Sequence, residues 1–247
     1  MSRAIDIESP RRSSALEWWF GGGERYASRY RFVEVMSVGA FAALALLLGI
    51  EIYVGLGRAP WSALLLLPAA FGGLLGADLA SGLVHWLADT YWRATTPFWG
   101  PKFVAPFREH HVDPLAITRH DFIEANCDNC LVSLLVLVPA WLFLPMRESV
   151  WATIFGAWVL FLASSVLLTS IAHGWAHHGS PPPIARRLQR WGLLISPEQH
   201  AHHHAAPHKS HYCITNGWLN PLLDHTHFFR HLERVFDALG APRAEHD

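Results

Sequence analysis

The sequence predicts an all-α polytopic membrane bundle of about four transmembrane helices, topped by a histidine-rich, metal-binding cap on its cytoplasmic face. Three observations predict it: four long apolar runs, a strong sidedness of charge, and 17 histidines that all fall on one of the two sides. At 51% hydrophobic and only 16% charged, the 247-residue chain is too apolar for an ordinary soluble domain. Its formal net charge of -1 lacks the basic excess of phosphate-binding proteins, so no nucleic-acid partner is expected. Three cysteines cannot form a disulfide framework, and facing the cytosol they would stay reduced. The first 30 residues are polar and arginine-bearing without an apolar core, so no signal peptide is expected.

The apolar runs cover residues 32–56, interrupted at Glu51; 61–83, broken by Asp78; 130–146; and 149–172, which carries no charge. A helix needs about 20 apolar residues to cross the hydrocarbon core. The runs come in two close pairs, so each pair reads as a helical hairpin. The predicted organisation is an N-terminal cytoplasmic arm over 1–31 with a glycine hinge at 21–23, one membrane domain over 32–239, and a disordered tail over 240–247. With these spans the N-terminus, residues 85–129 and the C-terminal third share one side. That side holds 17 of the 19 Lys and Arg, and only Arg58 and Arg147 lie opposite. The positive-inside rule makes it cytoplasmic, in the inner membrane for a bacterial protein.

Histidines cluster at helical spacings. His85 and Asp89 in HWLADTYW are four apart, as are His173 and His177 in HGWAHHG, while His200, His203 and His204 in HAHHH stand at offsets 0, 3 and 4. Side chains at those offsets share a helix face, with Cβ atoms about 5–6 Å apart, which is chelating geometry. Ser196, Pro197 and Gln199 supply an N-cap, a first-position proline and a capping box for the last group. A fourth group, His110 and His111 in FREHHVDP, lies in a Pro-bounded segment. One i,i+4 pair is weak evidence of metal; four clusters on one membrane face point to it. Imidazole suits zinc, copper, iron and nickel. Nine candidate ligands (His85, Asp89, His110, His111, His173, His177, His200, His203, His204) are too many for one ion and suit two. An O2-activating pair of iron ions is the natural reading, although spacing leaves zinc open.

These motifs, with TRHDF, APH and YCITNGWLN, resemble the lipid desaturases typified by plasmanylethanolamine desaturase, the Kua or CarF-like family. The likeness runs over about residues 74–232. It implies a membrane di-iron enzyme taking O2 and electrons from an external cytochrome b5-like or ferredoxin-like donor. In the plasmalogen-forming branch a phospholipid 1-O-alkyl chain becomes a vinyl ether; a plant relative acts on fatty-acyl chains. By this resemblance the histidine boxes fall on His173 and His177 and on His200, His203 and His204, with His85, Asp89, His110 and His111 as upstream elements. His120 and His208 side with the plasmalogen-forming branch, and together with Asp121 and Glu124 they are the catalytic candidates.

The remaining readings are structural. Asp113, Asp121, Glu124 and Asn126 are candidates to orient ligand rings, and His120 with Glu124 four residues on could itself be a ligand pair. Ile184, Leu188, Trp191 and Ile195, with Arg186, Arg187 and Arg190 on other faces, read as an interfacial amphipathic helix. Residues 96–107, rich in Pro and aromatics, also read as interfacial. Cys127 and Cys130 form CxxC without a redox context, so packing is expected. Three alternatives remain at this stage: a haem-binding electron-transfer protein, a metal transporter or sensor built around Glu51 and Asp78, and a lipid hydroxylase on the same scaffold.

Overall fold

The computed structural model describes residues 28–97, 100 and 104–244. Nine α-helices follow in order among them: α1 (Ser28–Arg58), α2 (Leu66–Thr90), α3 (Ala105–Val112), α4 (Phe122–Phe143), α5 (Val150–His177), α6 (Pro183–Arg190), α7 (Pro197–His204), α8 (Asn220–His225) and α9 (Phe228–Ala238). Short 3-10 turns at Pro60–Leu65 and Ala116–Arg119 lead into α2 and α4. No strand occurs among the described residues, only an isolated bridge between Tyr91 and Arg243. Four stretches, Arg31–Arg58, Pro60–Thr90, Phe122–Phe143 and Val150–His177, are long and apolar enough to cross a membrane.

The four long helices form a bundle in which α2 packs on α5, α1 on α4, and α5 also meets α1 and α4. Large apolar side chains such as Leu64, Leu67, Leu135, Phe143 and Trp151 are exposed, whereas Ala69, Ala77, Ala157 and Ala163 are buried between helices. In lipid, burying large apolar groups brings little hydrophobic gain, so close backbone approach through small residues takes over. At Gly73 a Cβ would lie 2.7 Å from the Leu162 backbone nitrogen, which makes glycine necessary at the α2–α5 crossing.

Two helices outrun their apolar runs. α2 continues from residue 83 to 90 and α5 from 172 to 177, and these extra turns carry His85, Asp89, His173 and His177 beyond the apolar stretches. The third span corrects the sequence reading: α4 starts at Phe122, eight residues before the apolar run, because Asp121 accepts the Glu124 N–H at 3.0 Å and so caps it. α7 starts as expected, with Ser196 and Gln199 closing a capping box.

Two further expectations are corrected. α6 ends at Arg190 and Gly192 turns the chain at φ +68°, so Ile195 falls out of phase with the stripe predicted for 184–195. Leu188 and Ile195 pack inward with Ala172, Ala176 and Leu194, and only Ile184 and Trp191 stay exposed. The tail expected to be disordered from 240 is pinned through residue 244: Trp92 N–H donates to Pro242 O at 3.0 Å, Ala244 N–H donates to Thr90 O at 2.9 Å, and Arg243 pairs with Glu233 and Asp237. The glycine hinge at 21–23 and residues 98, 99 and 101–103 of the interfacial stretch lie outside the described residues.

One buried carboxylate adds a concentrated tie between the C-terminal segment and the bundle. Asp78, in the middle of α2, accepts the N–H groups of Thr215, Asn216 and Gly217 on Oδ1 at 3.0–3.1 Å and that of Leu219 on Oδ2 at 3.2 Å. Four donors satisfy a charge that would otherwise be costly at 0% exposure. Next to it Gly82 leaves room for Cys213, whose Sγ would lie 2.6 Å from a Cβ there. Replacing Asp78 by Ala strands those four N–H groups and is expected to cost on the order of 3 kcal/mol or more. Thermal unfolding of the detergent-solubilised chain measures this, and an unshifted Tm would mean the loop holds without the carboxylate.

Candidate metal centre

All nine predicted ligands meet at the end of the bundle where α2 and α5 finish, in two adjoining groups. His110, His173, His177, His200 and His204 form the first; His85, Asp89, His111 and His203 form the second; within each, the ligand atoms lie within 4.8 Å of one another. The His85 ring is 6.2 Å from that of His173 and 6.4 Å from that of His200, so the groups adjoin. The partition is finer than the spacing suggested. His200 and His204 share a face of α7 and serve the first group, while His203 between them turns to the second. α3 splits likewise, His110 to the first and His111 to the second, because consecutive helical residues point about 100° apart. α5 feeds only the first group and α2 only the second.

In the first group four Nε2 atoms close a ring: His110 to His173 at 2.9 Å, His173 to His200 at 2.9 Å, His200 to His204 at 3.0 Å, and His204 to His110 at 3.1 Å. An imidazole nitrogen has one in-plane proton or one in-plane lone pair, so it cannot bond two such neighbours at once. Four lone pairs aimed at a common point suit a cation. In the second group Asp89 Oδ1 is 3.2 Å from His111 Nε2, Asp89 Oδ2 is 3.4 Å from His203 Nε2, and the two nitrogens are 3.3 Å apart. Both Asp89 oxygens and both His85 nitrogens are buried without a hydrogen bond, as is His177 Nε2. Orphaned polar atoms in such number are costly unless something fills the space between them, and a metal ion in each group fits. Five imidazoles also exceed the four ligands of a closed structural zinc site.

Protonation favours ligation. Burial, reinforced by the other imidazoles, pushes His110 down to about 2, His203 to about 3 and His204 to about 4, and holds His200 well below the usual value. Neutral rings are what a metal needs. For His203 the tautomer follows from structure, since Nδ1–H donates to the Ser210 carbonyl at 3.0 Å and leaves Nε2 free to face the group.

The catalytic candidates separate. His208 stands beside the second group, with its ring edge-on to His111 at 4.4 Å and its Nδ1–H donated to the His203 carbonyl at 3.1 Å. His120 instead pairs with Glu124 at 2.7 Å, and Asp121 pairs with Arg31 at 2.8 Å at the α1–α4 junction. Asp113 pairs with Arg119, and Asn126 donates to the Phe122 carbonyl at 2.7 Å. Among the described residues none of Asp113, Asp121, Glu124 and Asn126 bonds to a ring of the nine, which corrects the orienting role expected for them; for His203 the Ser210 carbonyl does that work. The sequence missed Asp78 as an anchor and Ser210 as an orienter, because a carbonyl partner leaves no side-chain signal. Cys127 and Cys130 are buried and free, as packing predicted. Histidines gathered at helix ends do not match paired haem ligands facing one another inside the bilayer. Glu51, bound twice by Arg147 at 2.6 Å, and Asp78 are both engaged, so neither is a free transport site.

Residues 74–245 match the lipid desaturase domain family. The chain belongs to that family. It is therefore an oxidoreductase of the lipid desaturase kind. Its relatives include plasmanylethanolamine desaturase of Myxococcus xanthus, 40% identical over 213 residues, which cover 85% of this chain and 73% of that one. Mouse plasmanylethanolamine desaturase 1 is 42% identical over 180 residues, 70% of this chain and 66% of the relative. The chloroplastic fatty acid desaturase 4 of Arabidopsis thaliana is 38% identical over 170 residues, 68% of this chain and half of the plant protein. No solved structure matches.

The lowered imidazole values give a sign for acid sensitivity. Unfolded histidine titrates near 6.5, so between that value and the folded ones the unfolded chain binds more protons, and stability falls as pH drops. The metal-stripped protein is expected to lose Tm steadily from about pH 6.5 towards about pH 4. A Tm that stays level or climbs with added acid would contradict the neutral, buried assignment.

Proposed function

We propose that this chain is a di-iron lipid desaturase that converts the 1-O-alkyl chain of a plasmanyl ether phospholipid to a vinyl ether, using O2 and external electrons. The observation that carries it is the division of nine ligands into two adjoining groups at a helix-bundle end, in a chain 40% and 42% identical to plasmanylethanolamine desaturases. Removing two hydrogens from an unactivated chain is beyond any side chain acting as acid, base or nucleophile, and bound iron with O2 supplies that oxidising power.

The residues have distinct tasks. His110, His173, His177, His200 and His204 hold one ion; His85, Asp89, His111 and His203 hold the other, with the Asp89 carboxylate offsetting part of the charge. His208, packed on His111, borders the second group and is our candidate to meet the reacting end of the chain. His120, Asp121 and Glu124 gather at the start of α4 as the other catalytic candidates, His120 paired with Glu124 and Asp121 with Arg31. The bundle presents its apolar flank to the acyl and alkyl chains, so the substrate arrives from the bilayer, and the histidine face and both termini lie in the cytoplasm, where 17 of 19 cationic side chains fall.

Cells expressing the chain with an alkylglycerol precursor are expected to accumulate acid-labile vinyl ether phospholipid, and His203→Ala is expected to abolish it. New acyl double bonds without vinyl ether would move the substrate to fatty-acyl chains, and a hydroxylated product would make the enzyme a hydroxylase. Purified protein is expected to hold about two iron ions per chain, and His85→Ala or His200→Ala, one from each group, at most about one. Zinc bound in preference to iron by the purified chain supplied with both metals would defeat the di-iron reading.

A further inference from the structure

A second feature on the cap has no part in holding the ions. A pocket of about 370 Å³ opens between α9 and the residue that follows His208, lined by Lys209, Phe229, Arg230, Glu233, Arg234 and Arg243. Arg243 is occupied by Glu233 at 3.2 Å and by Asp237 at 2.5 Å. Lys209, Arg230 and Arg234 make no ion pair among the described residues and are exposed. Arg230 and Arg234 stand four apart on α9 and so share one edge of the helix. The rim is thus strongly cationic, with its acidic neighbours already used.

The floor of this pocket leads inward. Phe229, 5% exposed, meets the Tyr212 ring edge-on at 4.8 Å, and Tyr212, 2% exposed, lies 5.3 Å from the ring of His203 and 6.1 Å from that of His85. Two side chains therefore connect the pocket floor to the second ligand group by direct ring contacts. The Tyr91–Arg243 bridge also ties the rim to the residue after α2, the helix that carries His85 and Asp89.

Resting on the proposed function, the stoichiometry asks for such a place. Per turnover the alkyl chain gives up two electrons and two protons, and O2 takes four of each to become two waters. The missing two electrons come one at a time from an external carrier, and two protons come from water. We propose that the cationic pocket over Phe229 is the docking surface for an acidic, soluble one-electron carrier protein, with Phe229 and Tyr212 bridging to His203. A charged rim around a small apolar floor gives the steering and the close approach that brief electron-transfer encounters use.

The helix also says which way the pocket faces. Val235 is 53% exposed and Leu239, at the C-cap of α9, is 79% exposed; being four apart they share the edge away from Arg230 and Arg234. With that apolar edge towards the membrane, Arg230 and Arg234 would face the aqueous side, where a soluble protein can reach them.

The test uses the iron-loaded full chain in nanodiscs, with a plant-type [2Fe–2S] ferredoxin as the acidic carrier. Binding of the ferredoxin and ferredoxin-driven turnover are expected to weaken with added salt, and in the Arg230→Glu/Arg234→Glu variant each is expected to fall about tenfold or more. Turnover driven by a small reduced mediator dye should be retained, and Lys209→Glu should repeat the pattern more weakly. Ferredoxin binding and turnover unchanged in both variants would overturn the proposal. So would an equal fall with carrier and dye, or a fall seen only in nanodiscs of anionic lipid, which would reassign the pocket to headgroups. Absence of any desaturated product with either reductant strikes the proposed function instead, while the binding measurement still decides the docking surface.

Discussion

Buried imidazoles whose nitrogens point at one another are unfavourable company on their own, and the structure is organised around making their gathering tolerable. Each ring loses water, and its neighbours repel any proton it takes up, so the group is stable only as neutral ligands around positive charge. That requirement explains why the rings sit just past the hydrocarbon, on helix turns that outlast the apolar runs. Nearer the midplane the charge of bound ions would be far more costly; further out, water would compete for the ligands.

The bundle below and the cap above meet this requirement by different means. Among the long helices, small residues such as Gly73 and Ala77 set backbone distances, so the ends of α2 and α5 hold fixed positions for His85, Asp89, His173 and His177. The cap packs large apolar side chains instead, with Tyr212, Leu223 and Phe229 against Trp86 and Tyr91, and Leu194 and Ile195 against Ala172 and Ala176. It adds polar ties: Asp78 gripping the backbone at 215–219, the Ser196–Gln199 capping box, and Arg108 donating to the carbonyls of Ala88, Tyr91 and Trp92 at the end of α2. Arg108 lies in α3, two and three residues before His110 and His111, so the link places α3 relative to α2.

Much of this was legible in the sequence because the signals were strong and local. Apolar runs near 20 residues, histidines at helical offsets and a capping box each follow from the geometry of one helix. What was not legible arises between segments. Offsets 0, 3 and 4 do not tell which of three rings turns to a second site, since that depends on what packs on each side of α7. The early start of α4 was hidden because its first two turns carry Glu124, Asn126 and Asp128, which a hydropathy reading discards although Asp121 caps them. The stripe ending at Ile195 failed because a left-handed glycine interrupts it. Ordering of the tail to 244 depends on backbone hydrogen bonds to residues some 150 positions earlier in the chain.

The paired histidines of α3 and α7 have one more consequence. Because neighbouring residues of each short helix are shared out between the two groups, metal ions held there would not be independent tenants. An ion entering one group would immobilise both helices, and the ordering entropy already spent would make a second arrival easier. Loading should accordingly be cooperative, with half-filled chains scarce, and stripping one ion should loosen the other.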